Sequence, residues 1–378
     1  MPRHVRTRHL PTRHQRQPDR VAQIDINGKF LGASLNGVHR TAAHFTRQLL
    51  RRASDEHEVR LLAPKAFAPP PEFPTLRPVV AKGLLGAGQG WEWLTLPYCA
   101  RNRLLVNFCN LAPLAHSNSA VMIHDAQTFL YPGDYSGRQA AAYRRLLPAI
   151  GRRARRIFTV SEFSRQSLAA HGIGALEKID VIHNGTDHLL LVPEDPGIVP
   201  RLGLQQGQYV LTMGSSKAYK NIRAVFAALQ SPLAGGQRLV VAGGPGREAY
   251  LAAGWTPPPD TVFTGFVSDG ELRALHARAG AFVFPSLTEG FGLPPIEAMH
   301  CGAPTICANA GAMPEVCGSA ALLVPAEDPR AYREALETVL TNHHTAQDLV
   351  TRGSLRAAAL SWEAAGERLY DCIRQLAA

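Results

Sequence analysis

The chain has 378 residues, 46% of them hydrophobic, which is long for one core and suits two domains. No run approaches the ~18–20 uninterrupted apolar residues of a membrane-spanning helix, and the Arg/His-rich start lacks the apolar centre of a secretory signal, so a cytosolic protein is expected. The net charge of +10 suits an anionic partner: a membrane face, nucleic acid or a phosphorylated substrate.

Residues 1–20 carry six arginines against one acid, Asp19, and little to bury; a disordered tail is expected. A first domain is expected over 21–195. It opens with a strand at 21–26 and a loop from Gly28 to Gly37. Asn36 is the expected N-cap of a helix on which Val38, Ala42, Phe45 and Leu49 recur at helical spacing, to about Arg52. A strand at 58–62 comes next, giving the start of a doubly wound domain. Ligands of such domains bind beyond the carboxyl ends of strands, so the Gly28–Gly37 loop should face a cleft. No Gly-x-Gly-x-x-Gly is present, which argues against a simple dehydrogenase. The proline-rich stretch 64–78 reads as a surface loop.

A strand at 121–123 ends at His124 and Asp125. Tyr143, Leu146, Leu147, Ile150 and Ala154 then form a helical stripe, in which Pro148 should kink the helix or start its second half. Seven arginines lie from Arg138 to Arg156, with no acid between Asp134 and Glu162. That run is either a solvated face or a contact for anionic lipid. Strands at 156–160 and 180–183 close the domain, and 194–200 looks like an interdomain linker.

A second domain is expected over 201–360, with strands at 209–213, 238–242, 261–266, 281–285, 305–308 and 321–324. Helices are expected near 221–229, 269–279, 294–301 and 329–340. A last amphipathic stretch, 362–376, lies in the terminal segment 361–378. The six cysteines, Cys99, Cys109, Cys301, Cys307, Cys317 and Cys372, lack Cys-x-x-Cys spacing and read as reduced packing residues.

The most informative stretch is PSLTEGFGLPPIEAM, residues 285–299. Glu289 and Glu297 stand eight positions apart across a glycine-rich turn that opens a helix. Pro294 and Pro295 suit its first turn. Backbone amides near Phe291 and Gly292 would point from that helix start toward a phosphate or sugar hydroxyl. Ionised carboxylates only accept hydrogen bonds, so they hold hydroxyls rather than phosphates. A ligand with both groups is a nucleotide-activated sugar. Lys220, on the loop after the second domain's first strand, can neutralise a departing diphosphate. No Asp-x-Asp pair or other metal-ligand spacing is present, so neither a metal nor another cofactor is expected, and the nucleotide diphosphosugar enters as co-substrate.

This stretch resembles the Glu-x7-Glu signature of retaining GT-B glycosyltransferases, the large family that includes sucrose synthases and bacterial polysaccharide mannosyltransferases. Asn27-Gly28-Lys29 with Asn36-Gly37-Val38-His39-Arg40, His124-Asp125, FTVSEFSR at 158–165, His183-Asn184-Gly185 and the run from Gly214 to Asn221 are also similar, in the same order. The resemblance implies an α/β GT-B fold: two facing Rossmann-like, doubly wound domains with a cleft between them, and a terminal helix crossing back to the first. It implies that Glu297 holds the ribose, Glu289 a sugar hydroxyl and Lys220 the diphosphate. Phe291 and Gly292, flanked by Gly290 and Leu293, would offer backbone contacts to the donor, and Gly265 and Phe266 would hold the base. His124 would meet the sugar near its reacting carbon, and Asp125 would orient His124 or cap the next segment of chain. Gly37, Arg40 and Asp125 would lie on the acceptor side. Many members carry arginine where this chain has Ser215; Lys217 is the candidate replacement. The implied activity is transfer of a hexose, with mannose first, to a lipid-linked or oligosaccharide acceptor in surface polysaccharide synthesis, at the inner face of the plasma membrane.

Three alternatives account for parts of the chain. A nucleotide-sugar 2-epimerase shares the fold and needs no acceptor. A basic nucleic-acid-binding protein explains the charge but not Glu289, Glu297 and their loop, and apart from Phe158 and Phe163 few aromatics interleave with the arginines for base stacking; no nucleic-acid partner is expected. A non-catalytic scaffold leaves Lys220 and both glutamates without a purpose.

Overall fold

The structure is a computed structural model that describes residues 21–33, 37–53, 56–83 and 85–377. The basic tail and the cap expected at Asn36 lie outside the described residues. Two all-parallel sheets organise the chain. The first has seven strands in the order β3-β2-β1-β4-β5-β6-β7. These are β1 (Gln23–Asn27), β2 (Glu58–Ala63), β3 (Val79–Val80), β4 (Leu104–Asn107), β5 (Ser119–Met122), β6 (Arg156–Thr159) and β7 (Ile179–Val181). The second has six, in the order β10-β9-β8-β11-β12-β13. These are β8 (Tyr209–Met213), β9 (Arg238–Ala242), β10 (Val262–Phe263), β11 (Ala281–Phe284), β12 (Thr305–Ala308) and β13 (Leu322–Val324). Strand order reverses between β1 and β4 and between β8 and β11, and a doubly wound sheet opens its binding crevice at that reversal. The architecture is the expected α/β pair of Rossmann-like sheets.

The central strand β4 was not anticipated. Leu104–Asn107 is buried on both faces, so it shows no alternation, and three apolar residues followed by an asparagine are too short to announce a strand. The strand expected at 261–266 shrinks to Val262–Phe263, because Gly265 takes φ +63° and turns the chain off the sheet edge. The helix Gly137–Arg153 neither ends nor restarts at Pro148. Leu147 and Ile150 bury its inner face, and Gly151 meets the carbonyl of Ile173 so closely that a Cβ would lie 1.6 Å from it. Packing holds the helix across the missing N–H. The helix His343–Ala358 was also not anticipated. It buries only Leu349, Gly353 and Ala357, and Gly353 is the close contact on Met299.

The connection at 194–200 is packed rather than loose. Asp195 N donates to Gly270 O at 3.0 Å, and Ile198 and Val199 are buried in a helical turn, Ile198–Arg201. The final helix, Trp362–Ala377, lies on Gly37–Ala53 of the first half, with Gly366 against Gln48. One apolar cluster runs through both halves, from Ile24 to Ile373. Among the described residues no helix is long and apolar enough to cross a membrane.

Candidate active site

The two strand-order reversals face one another, and the loops beyond them meet. β8 leads to the turn Ala218–Lys220, and β11 leads to Glu289. Lys220 Nζ donates to Glu289 Oε1 at 2.6 Å. Asn221, in the left-handed region (φ 53°), fixes the turn's far end through bonds to Pro285 O at 3.1 Å and Ala326 O at 2.7 Å. Leu287 N donates to Tyr219 O at 2.8 Å. These bonds tie the far end of the lysine loop to the segment that carries the first glutamate.

Gly292 starts the helix Leu293–His300 in the left-handed region (φ 86°), where a Cβ would lie 2.3 Å from Met313 Cε. Pro294 and Pro295 occupy the first turn, and Glu297 is buried one turn on. Phe291 is buried, its ring 5.9 Å from His183. Burial pushes the Glu297 carboxyl up, but His188, His276 and Arg40 around it prevail and hold it below its ordinary value, so it stays ionised. His188 Nε2 is 3.3 Å from Glu297 Oε1, and Trp362 Nε1 donates to His188 Nδ1 at 3.3 Å. The terminal helix thus reaches the second glutamate through one histidine.

The first half supplies His124 and Asp125 beyond β5. His124 Nε2 is 2.9 Å from Phe108 O, which makes it the protonated nitrogen and leaves Nδ1 as acceptor. Burial lowers the His124 pKa against that bond, keeping the ring neutral. Of the two roles expected for Asp125, the structure shows the cap: Oδ1 accepts from Gln127 N at 2.9 Å. Burial raises the Asp125 pKa, and Glu289 across the cleft adds to that, while Gln127 N, Lys220 and Lys217 oppose it.

Contacts across the cleft are close. A Cβ on Gly290 would stand 2.6 Å from His124 O. Ser161 Oγ donates to Gly290 O at 2.5 Å, and Gln127 Nε2 to Thr288 O at 3.2 Å. Two carboxylates reach over in opposite directions. Glu315 of the second half accepts from Glu162 N (2.8 Å), Phe163 N (3.1 Å) and His183 Nε2 (2.9 Å). Asp134 of the first accepts from Ala218 N and Tyr219 N. Arg40, expected on the acceptor side, also spans the halves, donating to Asp269 at 2.8 Å while its other nitrogen lies 3.6 Å from Glu72. Ser215 Oγ accepts from Lys217 N at 3.2 Å, and Lys217 Nζ sits 4.4 Å above the Tyr135 ring, facing the first half.

His124, Asp125, Lys220, Glu289 and Gly290 are therefore brought together, with Glu297 one helical turn behind Gly292. Gly37 is exposed at its helix start. Phe266 is 93% exposed after β10, while Gly265 O accepts from Gly243 N at 3.0 Å. Asp134, His188 and Glu315 were missed. Each stands in an ordinary local setting, and its partners are more than 80 residues away in sequence.

Residues 200–356 match the family described as glycosyl transferases group 1, and residues 35–188 match glycosyltransferase family 4. The O-antigen chain mannosyltransferase RfbU of Salmonella typhimurium is 28% identical over 261 residues, 65% of this chain and 70% of that protein. The O-antigen chain mannosyltransferase B of Escherichia coli is 31% identical over 223 residues, 56% of this chain and 58% of the relative, so the chain spans little more than half of its length. Among solved structures, Anabaena HepE in complex with UDP and glucose superposes with a TM-score of 0.71 at 17% identity, over 94% of this chain and 100% of that one.

Proposed function

Since the chain is a glycosyltransferase of the GT-B fold, we propose that it moves a hexose, mannose first, from a nucleotide diphosphosugar to a lipid-linked or oligosaccharide acceptor in surface polysaccharide synthesis. One observation carries the reading. Lys220 meets Glu289 where strand order reverses in the second sheet, with Glu297 on the helix that follows and His124 against Gly290 from the first.

In this reading Glu297, kept ionised, accepts the two ribose hydroxyls. With the halves closed, Lys220 turns from Glu289 to the donor diphosphate and neutralises it as the sugar–oxygen bond breaks, which frees Glu289 for a sugar hydroxyl. Neutral His124 offers Nδ1 to a sugar hydroxyl. The acceptor hydroxyl attacks on the face the diphosphate leaves, giving retention, and the leaving phosphate takes its proton. Closure of the two halves excludes water from the donor. Lys220 and backbone amides supply the positive charge, so no resident metal is required.

The acceptor side is the first half. Arg138, Arg144, Arg145, Arg152 and Arg153 are all exposed on the helix Gly137–Arg153, a basic face suited to the anionic inner surface of the plasma membrane. The mannosyltransferase relatives support mannose and a polysaccharide product. The test is calorimetric binding of UDP-, GDP-, ADP- and dTDP-sugars beside Glu297→Ala. One nucleotide should bind selectively and be weakened by the substitution. A folded protein that binds none of them refutes the reading.

A further inference from the structure

Asp134 ends the short turn Pro132–Asp134 of the first half, between His124 and the basic helix. Its carboxylate crosses the cleft. Oδ1 accepts from Ala218 N at 2.8 Å, and Oδ2 accepts from Tyr219 N at 3.1 Å. These are the first two amides of the turn Ala218–Lys220, the positions for which a helical turn has no acceptor of its own. Lys220, the next residue, reaches Glu289.

The turn is thus held from two sides. Its end is fixed within its own half, by Asn221 on Pro285 O and Ala326 O. Its beginning is capped from the other half. The neighbours of Asp134 follow it across: the Tyr131 ring centre is 5.7 Å from that of Tyr219, and Tyr135 lies under the Lys217 ammonium. A carboxylate accepting two amide hydrogens is a charge-assisted bond, stronger and more directional than a neutral one. It can form only when the two halves are together.

We propose that Asp134 is a positioning residue for Lys220, so that domain closure, and not donor binding, completes the leaving-group cation. The inference rests on the reading of Lys220 as the diphosphate's partner. Its consequence is that a donor held by the second half alone lacks a correctly aimed lysine, and its sugar stays attached until the first half arrives.

The experiment compares full-length wild type, Asp134→Asn, Asp134→Glu, Lys220→Ala and the Asp134→Asn/Lys220→Ala pair. Three quantities are read: mannose released from GDP-mannose by slow hydrolysis, water standing in for the acceptor hydroxyl, GDP affinity by calorimetry, and amide hydrogen exchange at Ala218 and Tyr219. Asp134→Asn should slow turnover about 10- to 100-fold with GDP affinity within about twofold of wild type, a split expected when only placement in the closed state changes. Asp134→Glu should recover part of the rate. The double variant should be no slower than Lys220→Ala, and both amides should exchange faster in Asp134→Asn. Undiminished turnover in Asp134→Asn, an equal further loss in the Lys220→Ala background, or GDP affinity falling in step with turnover overturns the proposal. Wild-type turnover in Lys220→Ala instead overturns the reading of Lys220. If wild type neither binds nor turns over GDP-mannose, that donor is wrong, and equal amide protection in wild type and Asp134→Asn overturns the role of Asp134.

Discussion

Gly290→Ala isolates the closed cleft from everything else the site does. The backbone conformation of Gly290 is open to alanine, so the only change is one methyl group. That methyl would stand 2.6 Å from His124 O, 3.1 Å from Asp125 Cβ and 3.3 Å from Ser164 Oγ. Relief requires the halves to part by about half an ångström or more. Parting strains the bonds on Gly290 O from Ser161 Oγ at 2.5 Å and Ser164 Oγ at 3.2 Å. Each is worth about 0.5–1.5 kcal/mol, so the closed arrangement loses about 1–3 kcal/mol, a factor of roughly 5–150 in its population. Each half keeps its core, so nucleotide affinity and melting temperature should change little while the transfer rate falls by that factor. The assay is steady-state transfer beside calorimetry and a thermal melt. A rate within about twofold of wild type would show that this contact does not accompany catalysis.

Buried His276 should make stability fall in acid. Burial lowers its pKa from 6.5 to about 4, against the opposing pull of Glu297, so the unfolded ring binds a proton that the folded one refuses. Its contribution is therefore complete above pH 6.5 and declines toward pH 4 by up to about 3 kcal/mol. Denaturant titrations of His276→Leu should show a flatter slope in that window, and an unchanged slope refutes the assignment. Chelation with EDTA should leave transfer unchanged; loss restored by added Mg²⁺ would put a metal in the mechanism. Vesicles rich in anionic lipid should bind the protein at low salt and release it at high salt, because exposed arginines act through a screened field. Binding equal at both salts, or unaffected by glutamine at Arg144, Arg145 and Arg152, sinks the membrane contact.

The motif around Glu289 was legible because several local rules agree there. A buried apolar strand, a glycine turn, two prolines suited to a first helical turn and a carboxylate on that helix all demand the same backbone. Lys220 was legible for a similar reason, standing on a loop just after a strand. The strands that alternate with helices gave the doubly wound order, but not its centre. β4 is four residues of unbroken burial, and nothing local separates such a run from a loop. Asp134 and Glu315 show a different limit. Asp134 sits in a Pro-Gly-Asp turn and Glu315 in a short helix, Met313–Cys317, both settings where an acid is ordinarily left to solvent. Their partners are backbone amides, which every residue but proline has, so no side-chain type in the partner segments points back to them. Closure by carboxylate-to-amide bonds leaves a trace in only one of the two sequences it joins. A two-domain chain can therefore display one wall of its cleft in its motifs while the residues that join the two walls stay hidden until the halves are seen together.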